Sequence, residues 1–163
     1  LGDAMSGTAY NAIVCAPGFA LGIQCNDDEI THIDFLEPQA GQPANTPLAG
    51  EAVRQLQAYL ADPKFEFGLP LRPSGTTFQR RVWEQISAIP SGQTESYGQL
   101  AKNLKNAARA VGQACGANFY PVVIPCHRVI ATGGGLGGFA RERGGFLLDV
   151  KRWLLDHEAG KHD

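Results

Sequence analysis

The sequence predicts an α+β protein, with a small N-terminal α/β lobe built on a three-stranded antiparallel sheet, followed by a mainly helical C-terminal lobe containing a helix-turn-helix. Three observations carry this reading. Short β-rich runs separated by turn signals fill Tyr10 to Leu36. Apolar residues at helical spacing dominate after Thr76. Between them, Asp62 to Gly75 is rich in proline and glycine and ends in Arg72-Pro73-Ser74-Gly75. That stretch reads as a linker and sets the domains at 1–75 and 76–163.

In the first lobe, Tyr10 to Cys15 and Ala20 to Cys25 flank Pro17-Gly18 and read as a hairpin. Asn26-Asp27-Asp28 marks a second turn. Ile30 to Leu36 alternates, with Ile30, His32 and Asp34 set against Thr31, Ile33 and Phe35, as in a strand with one wet face. Gly50 to Leu60 carries Ala52, Val53, Leu56, Tyr59 and Leu60 at helical spacing, with Thr46-Pro47 as the start signal.

In the second lobe, Thr77 is the expected N-cap of a helix whose buried stripe is Phe78, Val82, Trp83 and Ile86. Ile89-Pro90-Ser91-Gly92 stops it. Ser96 and Gln99 have the spacing of a capping box, in which each side chain serves the other's backbone amide. Tyr97, Leu100, Ala101 and Leu104 follow. Asn106 then reads as the cap of a helix of small residues, Ala107-Ala108-Arg109-Ala110-Val111 onward to Cys115. Two short helices at a tight turn fit a helix-turn-helix, although pattern alone favours an ordinary αα-hairpin packed in a core. Gly133 to Gly145 holds seven glycines and reads as a flexible loop. Leu147 to Ala159 is an amphipathic helix, with Leu147, Val150, Trp153 and Leu154 on one side and Gly160 at its end.

The chain has 163 residues and a net charge of −2, and no apolar run is long enough to span a bilayer. Its four cysteines, Cys15, Cys25, Cys115 and Cys126, form no C-x-x-C pair, which favours a reduced, cytoplasmic protein. Leu1 in place of Met is read as a processed or engineered end. The charge is divided unevenly: Leu1 to Gly75 balances to −6 and Thr76 to Asp163 to +4. Only the second lobe is therefore suited to face phosphate.

The most chemically pointed stretch is Pro125-Cys126-His127-Arg128-Val129, after the apolar run Val122-Val123-Ile124. A free thiol is only a few per cent thiolate near neutrality, so a nucleophilic cysteine needs a base or a positive field. His127 is adjacent, but in an extended backbone neighbouring side chains point to opposite faces. The expected arrangement is a bridging water between Cys126 and His127, with a carboxylate orienting the imidazole. Glu158 on the last helix is the first candidate, and Asp156 and Asp149 are the alternatives. An isolated Cys-His pair is also compatible with a buried core cysteine and a satisfied histidine.

Pro125 to Val129 resembles the active-site signature of the O6-alkylguanine-DNA alkyltransferases. The resemblance runs on, in order, through Phe78 to Trp83, Ile89 to Gly92, Ser96 to Ala101, Ala107 to Gly112, Asn118 with Pro121 to Cys126, and Lys151 to Glu158. It covers nearly all of Thr76 to Glu158, and the N-terminal lobe only in outline.

The resemblance implies a DNA-repair protein that flips O6-alkylguanine out of the duplex and takes the alkyl group irreversibly on Cys126. Minor action on O4-alkylthymine is implied as well. Glu158, His127 and a water would form the relay that makes the thiolate. Asn118 would tie the helix-turn-helix to the active-site segment. Tyr97 would rotate a phosphate and donate a proton to the departing guanine, and Arg109 would fill the gap in the stack. Ser96, Gln99, Ala107 and Ala108 would lie on DNA, and Val129, Pro121, Cys115, Phe139 and Gly138 would line the pocket. The implied partner is double-stranded DNA containing O6-alkylguanine, bound by a monomer without cofactor, membrane or obligate protein partner.

The sequence departs from the family pattern after Gly138-Phe139, where the loop is longer, and Ala140 stands where some members carry a hydroxyl. Arg141 and Arg143 there read as phosphate contacts or as solvated loop charges. Some relatives bind zinc in the N-terminal lobe; here Cys15, Cys25 and His32 do not have the spacing of a closed tetrahedral set, so no metal is expected. Three rival functions meet objections in the same residues. A lesion-recognition relative that does not react would lack the acceptor cysteine. A cysteine hydrolase needs an oxyanion hole, for which only the glycine-loop amides offer donors. A DNA-binding regulator leaves Pro125 to Val129 unexplained.

Overall fold

The computed structural model describes residues 9–136 and 145–161. The pocket positions Gly138 and Phe139, with Ala140, Arg141 and Arg143, lie outside the described residues. The chain divides into two compact units, Leu1–Pro73 and Ser74–Asp163.

In the first unit β1 (Ala12–Ala16), β2 (Phe19–Cys25) and β3 (Ile30–Leu36) form an antiparallel sheet in the order β1-β2-β3. Pro17-Gly18 joins the first two, Ala16 faces Phe19 across the turn, and Gly18 takes φ +83°, a conformation open to glycine at no steric cost. Asn26 closes the second turn by accepting from the Asp28 and Glu29 amides at 2.8 and 2.7 Å. The strict alternation expected in β3 does not hold. Gln24 pairs with His32 but Cys25 with Ile30, so Thr31 is an extra residue that bulges the strand. Ile30 and Ile33, expected on opposite faces, are both buried, at 0% and 1% exposure. Each contributes roughly 1.5–3 kcal/mol by leaving water.

Helix α1 (Pro47–Ala61) packs on β1 and β2, three residues longer at its start than the apolar pattern indicates. Thr46 caps it by accepting from the Ala49 amide, and Pro47 occupies the first turn, where its missing N–H costs nothing. The stretch after α1 is tied down within this unit. Gln55 exchanges hydrogen bonds with Gly68, and the Ile30 amide donates to Pro70 while the Arg72 amide donates to Ile30.

Gly22 shows how tightly this sheet is packed. A Cβ there would meet the Tyr10 ring at 2.5 Å, and that ring is anchored by the Tyr10 hydroxyl donating to Asp34 at 2.7 Å. Gly22→Ala is expected to cost about 1–3 kcal/mol of stability. Urea unfolding measures this, and an unchanged midpoint would contradict the packing.

The second unit is helical: α2 (Thr77–Ser87), α3 (Tyr97–Leu104), α4 (Ala108–Gly116) and α5 (Phe146–Glu158). Helix α4 packs against both α2 and α3, and the Trp83 indole donates to the Ala114 carbonyl at 2.9 Å. Gly75, at φ +89°, lies against the same Trp83 ring. Three expected caps are corrected. The N-cap of α2 is Thr76, one residue earlier than Thr77, because Thr76 and Gln79 have the side chains that close a full capping box. Ser96 does cap α3, but Gln99 donates to Asn103 at 3.0 Å, one turn on, and not to the cap. Asn106 is outside α4: its side chain accepts from Ala107, and Ala107 is an N-cap without a side-chain bond. Helices α3 and α4 meet through Lys105, which takes the left-handed conformation at φ 55°.

Candidate active site

The site is assembled from the segment between α4 and α5. Asn118 follows α4 and holds this segment in a tight turn. Its amide nitrogen donates to the Ile124 carbonyl at 2.9 Å and to the Cys126 sulfur at 3.3 Å, and its oxygen accepts from the Tyr120 amide at 2.8 Å. Inside that turn Val122, 3% exposed, has φ 75°. A β-branched residue there is strained, at a cost of about 1–3 kcal/mol, and it persists because the Asn118 bonds over-determine the turn.

Cys126 to Arg128 form a 3₁₀ turn, and not the extended backbone assumed from sequence. Val129–Ile130 then make a short strand, β5, parallel to β4 (Glu95–Ser96), with Glu95 opposite Val129 and Ser96 opposite Ile130. This ladder has a consequence for the site. Strand β4 runs directly into α3, so pairing it to β5 brings Tyr97 beside the Cys126 turn.

Cys126 is 3% exposed and His127 is fully buried. His127 Nε2 lies 2.7 Å from Glu158 Oε2, whose side chain is 1% exposed. With the carboxylate ionised, Nε2 carries the proton and Nδ1 is the free base. Nδ1 is buried and has no hydrogen-bond partner among the described residues. Burial lowers the His127 pKa from its ordinary 6.5, outweighing the opposite pull of Glu158. The imidazole is therefore neutral at physiological pH. The Cys126 thiol is pushed upward, first by the hydrogen bond with the Cys115 thiol and then by burial; Asn118 and Lys151 oppose this. The resting pair is a neutral thiol and a neutral base.

Two residues here were not singled out from the sequence. Arg128 clamps Glu158 with Nε at 2.8 Å from Oε1 and a terminal nitrogen at 2.9 Å from Oε2, and gives its third donor to the Ile89 carbonyl at 2.7 Å. It supplies a fixed cation to the buried carboxylate. Lys151 is 0% exposed, and its ammonium donates to the carbonyls of Val129 and Leu136, each at 2.7 Å. It lies 5.8 Å from the centre of the Tyr97 ring. Burial pulls its pKa down to about 8. The Tyr97 phenol is raised, by burial first and then by Cys115 and Cys126, and it stays protonated. The buried face of α5 is Val150, Lys151, Leu154 and Glu158, so both charged residues share the stripe with Leu154 at helical spacing. That spacing was the available signal for Lys151. Leu147 and Trp153, expected on this face, are only partly buried.

Cys126, His127, Glu158, Asn118 and Cys115 thus come together, with Tyr97 and Val129 alongside. Pro121 sits in the Asn118 turn and bridges Ile124. Ser96 and Gln99 are at the start of α3. Ala107, Ala108 and Arg109 are exposed at the start of α4, and Arg109 makes no hydrogen bond or ion pair among the described residues. All four cysteines are free, and no cluster of three metal-ligating groups occurs among the described residues.

Known proteins carry the same architecture. Residues 77–160 match the DNA-binding domain of 6-O-methylguanine DNA methyltransferase, and residues 20–73 match the ribonuclease-like domain of that family. A methylated-DNA–protein-cysteine methyltransferase of Methanosarcina acetivorans is 46% identical over 157 residues, covering 91% of this chain and 97% of the relative. One from Mycobacterium bovis is 41% identical over 140 residues, covering 81% of each. The crystal structure of Mycobacterium tuberculosis OGT in complex with DNA superposes with a TM-score of 0.78 at 35% identity, covering 91% of this chain and 92% of that one. With both domain families matched in order and close relatives spanning nearly the whole length, the chain belongs to the methylated-DNA–protein-cysteine methyltransferase family.

Proposed function

We propose that this protein repairs DNA by flipping O6-alkylguanine out of the duplex and transferring the alkyl group to its own Cys126, once per molecule. The observation that carries the reading is the buried line from Cys126 through His127 to Glu158, with the basic face of the imidazole left available. A water would pass the Cys126 proton to His127 Nδ1, and the imidazolium would be stabilised by the ionised Glu158. The sulfur attacks the alkyl carbon, an S–C bond forms, and the carbon–O6 bond breaks. Tyr97 donates a proton toward the guanine as it leaves with the bonding electrons. The thioether has no easy hydrolytic exit, so the protein is consumed. Minor action on O4-alkylthymine belongs to the same proposal.

A base inside a duplex cannot reach a thiol that is 3% exposed, so it must be extruded, at a cost of a few kcal/mol. In this reading α3 and α4 act as a helix-turn-helix on DNA. Ser96, Gln99, Ala107 and Ala108 lie at the contact, the small residues letting the backbone approach, and Arg109 fills the space of the extruded base. Val129, Pro121 and Cys115 line the pocket. No helix among the described residues is long and apolar enough to cross a membrane. We place the protein in the cytoplasm as a monomer, with damaged duplex DNA as its partner.

The direct test incubates the protein with duplex DNA carrying O6-methylguanine and weighs the peptide that contains Cys126. One methyl per molecule without turnover is expected. Repaired DNA in catalytic excess, or methylation elsewhere, would overturn the proposal. Arg109→Ala should slow repair in duplex DNA far more than reaction with free O6-benzylguanine, and equal losses would remove Arg109 from the flipping role.

The rate should also report the His127 titration. Because its pKa is lowered, the base stays competent through neutral pH, and transfer should fall only as pH drops below the ordinary histidine value of 6.5. The same group contributes stability that is complete above 6.5 and is lost as pH falls through its lowered value. A rate inflection above 6.5 would contradict a buried neutral base.

A further inference from the structure

Lys151 is a charged side chain on the core face of α5, between Val150 and Leu154, and it is fully buried. Lysine is almost never buried so completely, and an apolar side chain would fill the same space without the cost of desolvating a charge. Its ammonium donates to the Val129 and Leu136 carbonyls, each at 2.7 Å. These are the two ends of one turn. Between them the Ala131 amide donates to the Gly135 carbonyl and the Gly134 amide to the Ala131 carbonyl, both at 2.9 Å. The same turn frames Tyr97 on both sides. Ser96, the residue before it, pairs with Ile130 across the β4–β5 ladder. Gly98, the residue after it, donates its amide to the Thr132 hydroxyl at 3.2 Å. The fit is close, since a Cβ at Gly98 would lie 2.7 Å from that hydroxyl oxygen. A third hold is on the ring itself, whose centre is 5.8 Å from the Lys151 ammonium, within cation–π reach. The main chain on either side of Tyr97 is thus tied to one segment, and Lys151 both closes that segment and faces the ring.

We infer that Lys151 is a positioning residue for Tyr97: by joining the Val129 and Leu136 carbonyls it holds the turn that carries Thr132, and with it the tyrosine ring, in one fixed place beside the Cys126 turn. It acts through Tyr97 and not on the reacting atoms. A phenol helps guanine leave only if it meets the developing charge in the right geometry, and a ring free to swing would seldom be there. A buried ammonium suits this task because it can grip two main-chain carbonyls and an aromatic face at once. An apolar side chain in its place would fill the space and grip none of them. That the fixed ring serves alkyl transfer rests on the donor role proposed for Tyr97; that Lys151 fixes it does not.

The test compares the full chain with Lys151→Met, an unbranched apolar side chain without donor or charge. Binding of a duplex carrying O6-methylguanine should stay within about threefold, while the single-turnover transfer rate at saturating DNA should fall by about 30-fold. Tyr97→Phe and the double variant complete a cycle. The double variant should be at most about threefold slower than Tyr97→Phe alone, because without the phenol Lys151 has nothing left to position. Losses that multiply, a Lys151→Met rate equal to that of the unsubstituted chain, or weakened binding with an unchanged rate would each overturn the inference. If Lys151→Met fails to fold, Thr132→Val decides, since it cuts the tie to Gly98 from an exposed position. Transfer slower by about tenfold is expected there, again without multiplying the Tyr97→Phe loss, and an unchanged rate would overturn the inference. Hydrogen exchange reads the holding role without chemistry. In Lys151→Met the Ala131 and Gly134 amides should exchange at least about tenfold faster while those of α2 keep their protection, and equal exchange would refute the role. Unsubstituted protein that accepts no methyl, yet shows this exchange difference, would refute the repair reading and leave the holding role standing.

Discussion

Cys126→Ser is expected to abolish methyl transfer, lowering the rate by about 10⁴-fold or more, while duplex DNA carrying O6-methylguanine is still bound. The reason is chemical and not architectural. A serine hydroxyl is close enough in size to a thiol to leave the 3₁₀ turn at Cys126–Arg128 in place, and it retains an acceptor for the Asn118 amide. But a neutral imidazole cannot draw a useful fraction of alkoxide from it. Mass analysis of the protein after incubation, together with a binding measurement on the same duplex, checks both halves. Transfer by the serine variant within tenfold of the unsubstituted rate would eliminate Cys126 as acceptor. Loss of binding together with transfer would show that the substitution damaged the site.

Glu158→Gln should produce two separable losses. The glutamine amide cannot stabilise an imidazolium at His127, so transfer should slow by roughly 10²–10³-fold. Arg128 would also lose the carboxylate it clamps through two nitrogens, leaving a guanidinium whose side chain is 12% exposed facing a neutral group. Breaking a buried ion pair from one side costs about 3 kcal/mol. The double variant Glu158→Gln with Arg128→Met removes the stranded charge and should regain part of the stability without regaining the rate. Chemical denaturation and single-turnover kinetics read the two effects independently. If the double variant recovers the rate as well, Glu158 acts through stability alone and the relay reading fails.

The site was legible to unequal degrees. Cys126 and His127 stand next to each other in the chain, and Glu158 was reached because the last helix had to pack somewhere near. What could not be read was the manner of their meeting. The backbone at Cys126 is not extended but makes a 3₁₀ turn, because the Asn118 side chain and the positive φ of Val122 reverse the segment just before it. Arg128 stood within the signature but had no visible partner until α5 was docked. Lys151 was concealed because a charged residue on an amphipathic helix is read as solvent-facing unless carbonyls are known to await it. The caps show the limit of local reasoning. Ser96 was correct because its bond is made three residues away, whereas Asn106 and Gln99 had competing partners equally near in sequence.

By itself the sequence determined the elements: three strands and their turns, the amphipathic helices, and the chemical identity of a thiol, an imidazole and a carboxylate. These depend on periodicity, on proline and glycine, and on side-chain chemistry, all of which are local. Only the tertiary structure decided the bulge that buries both Ile30 and Ile33, and the parallel β4–β5 pair that brings Tyr97 to the active-site turn. It alone decided the burial of Lys151 against the Val129 carbonyl and the clamping of Glu158 by Arg128. Each of these is a pairing between residues distant in the chain or displaced by one position in register. Such pairings are fixed by which polar groups find partners when water is excluded, and no window of sequence contains that information.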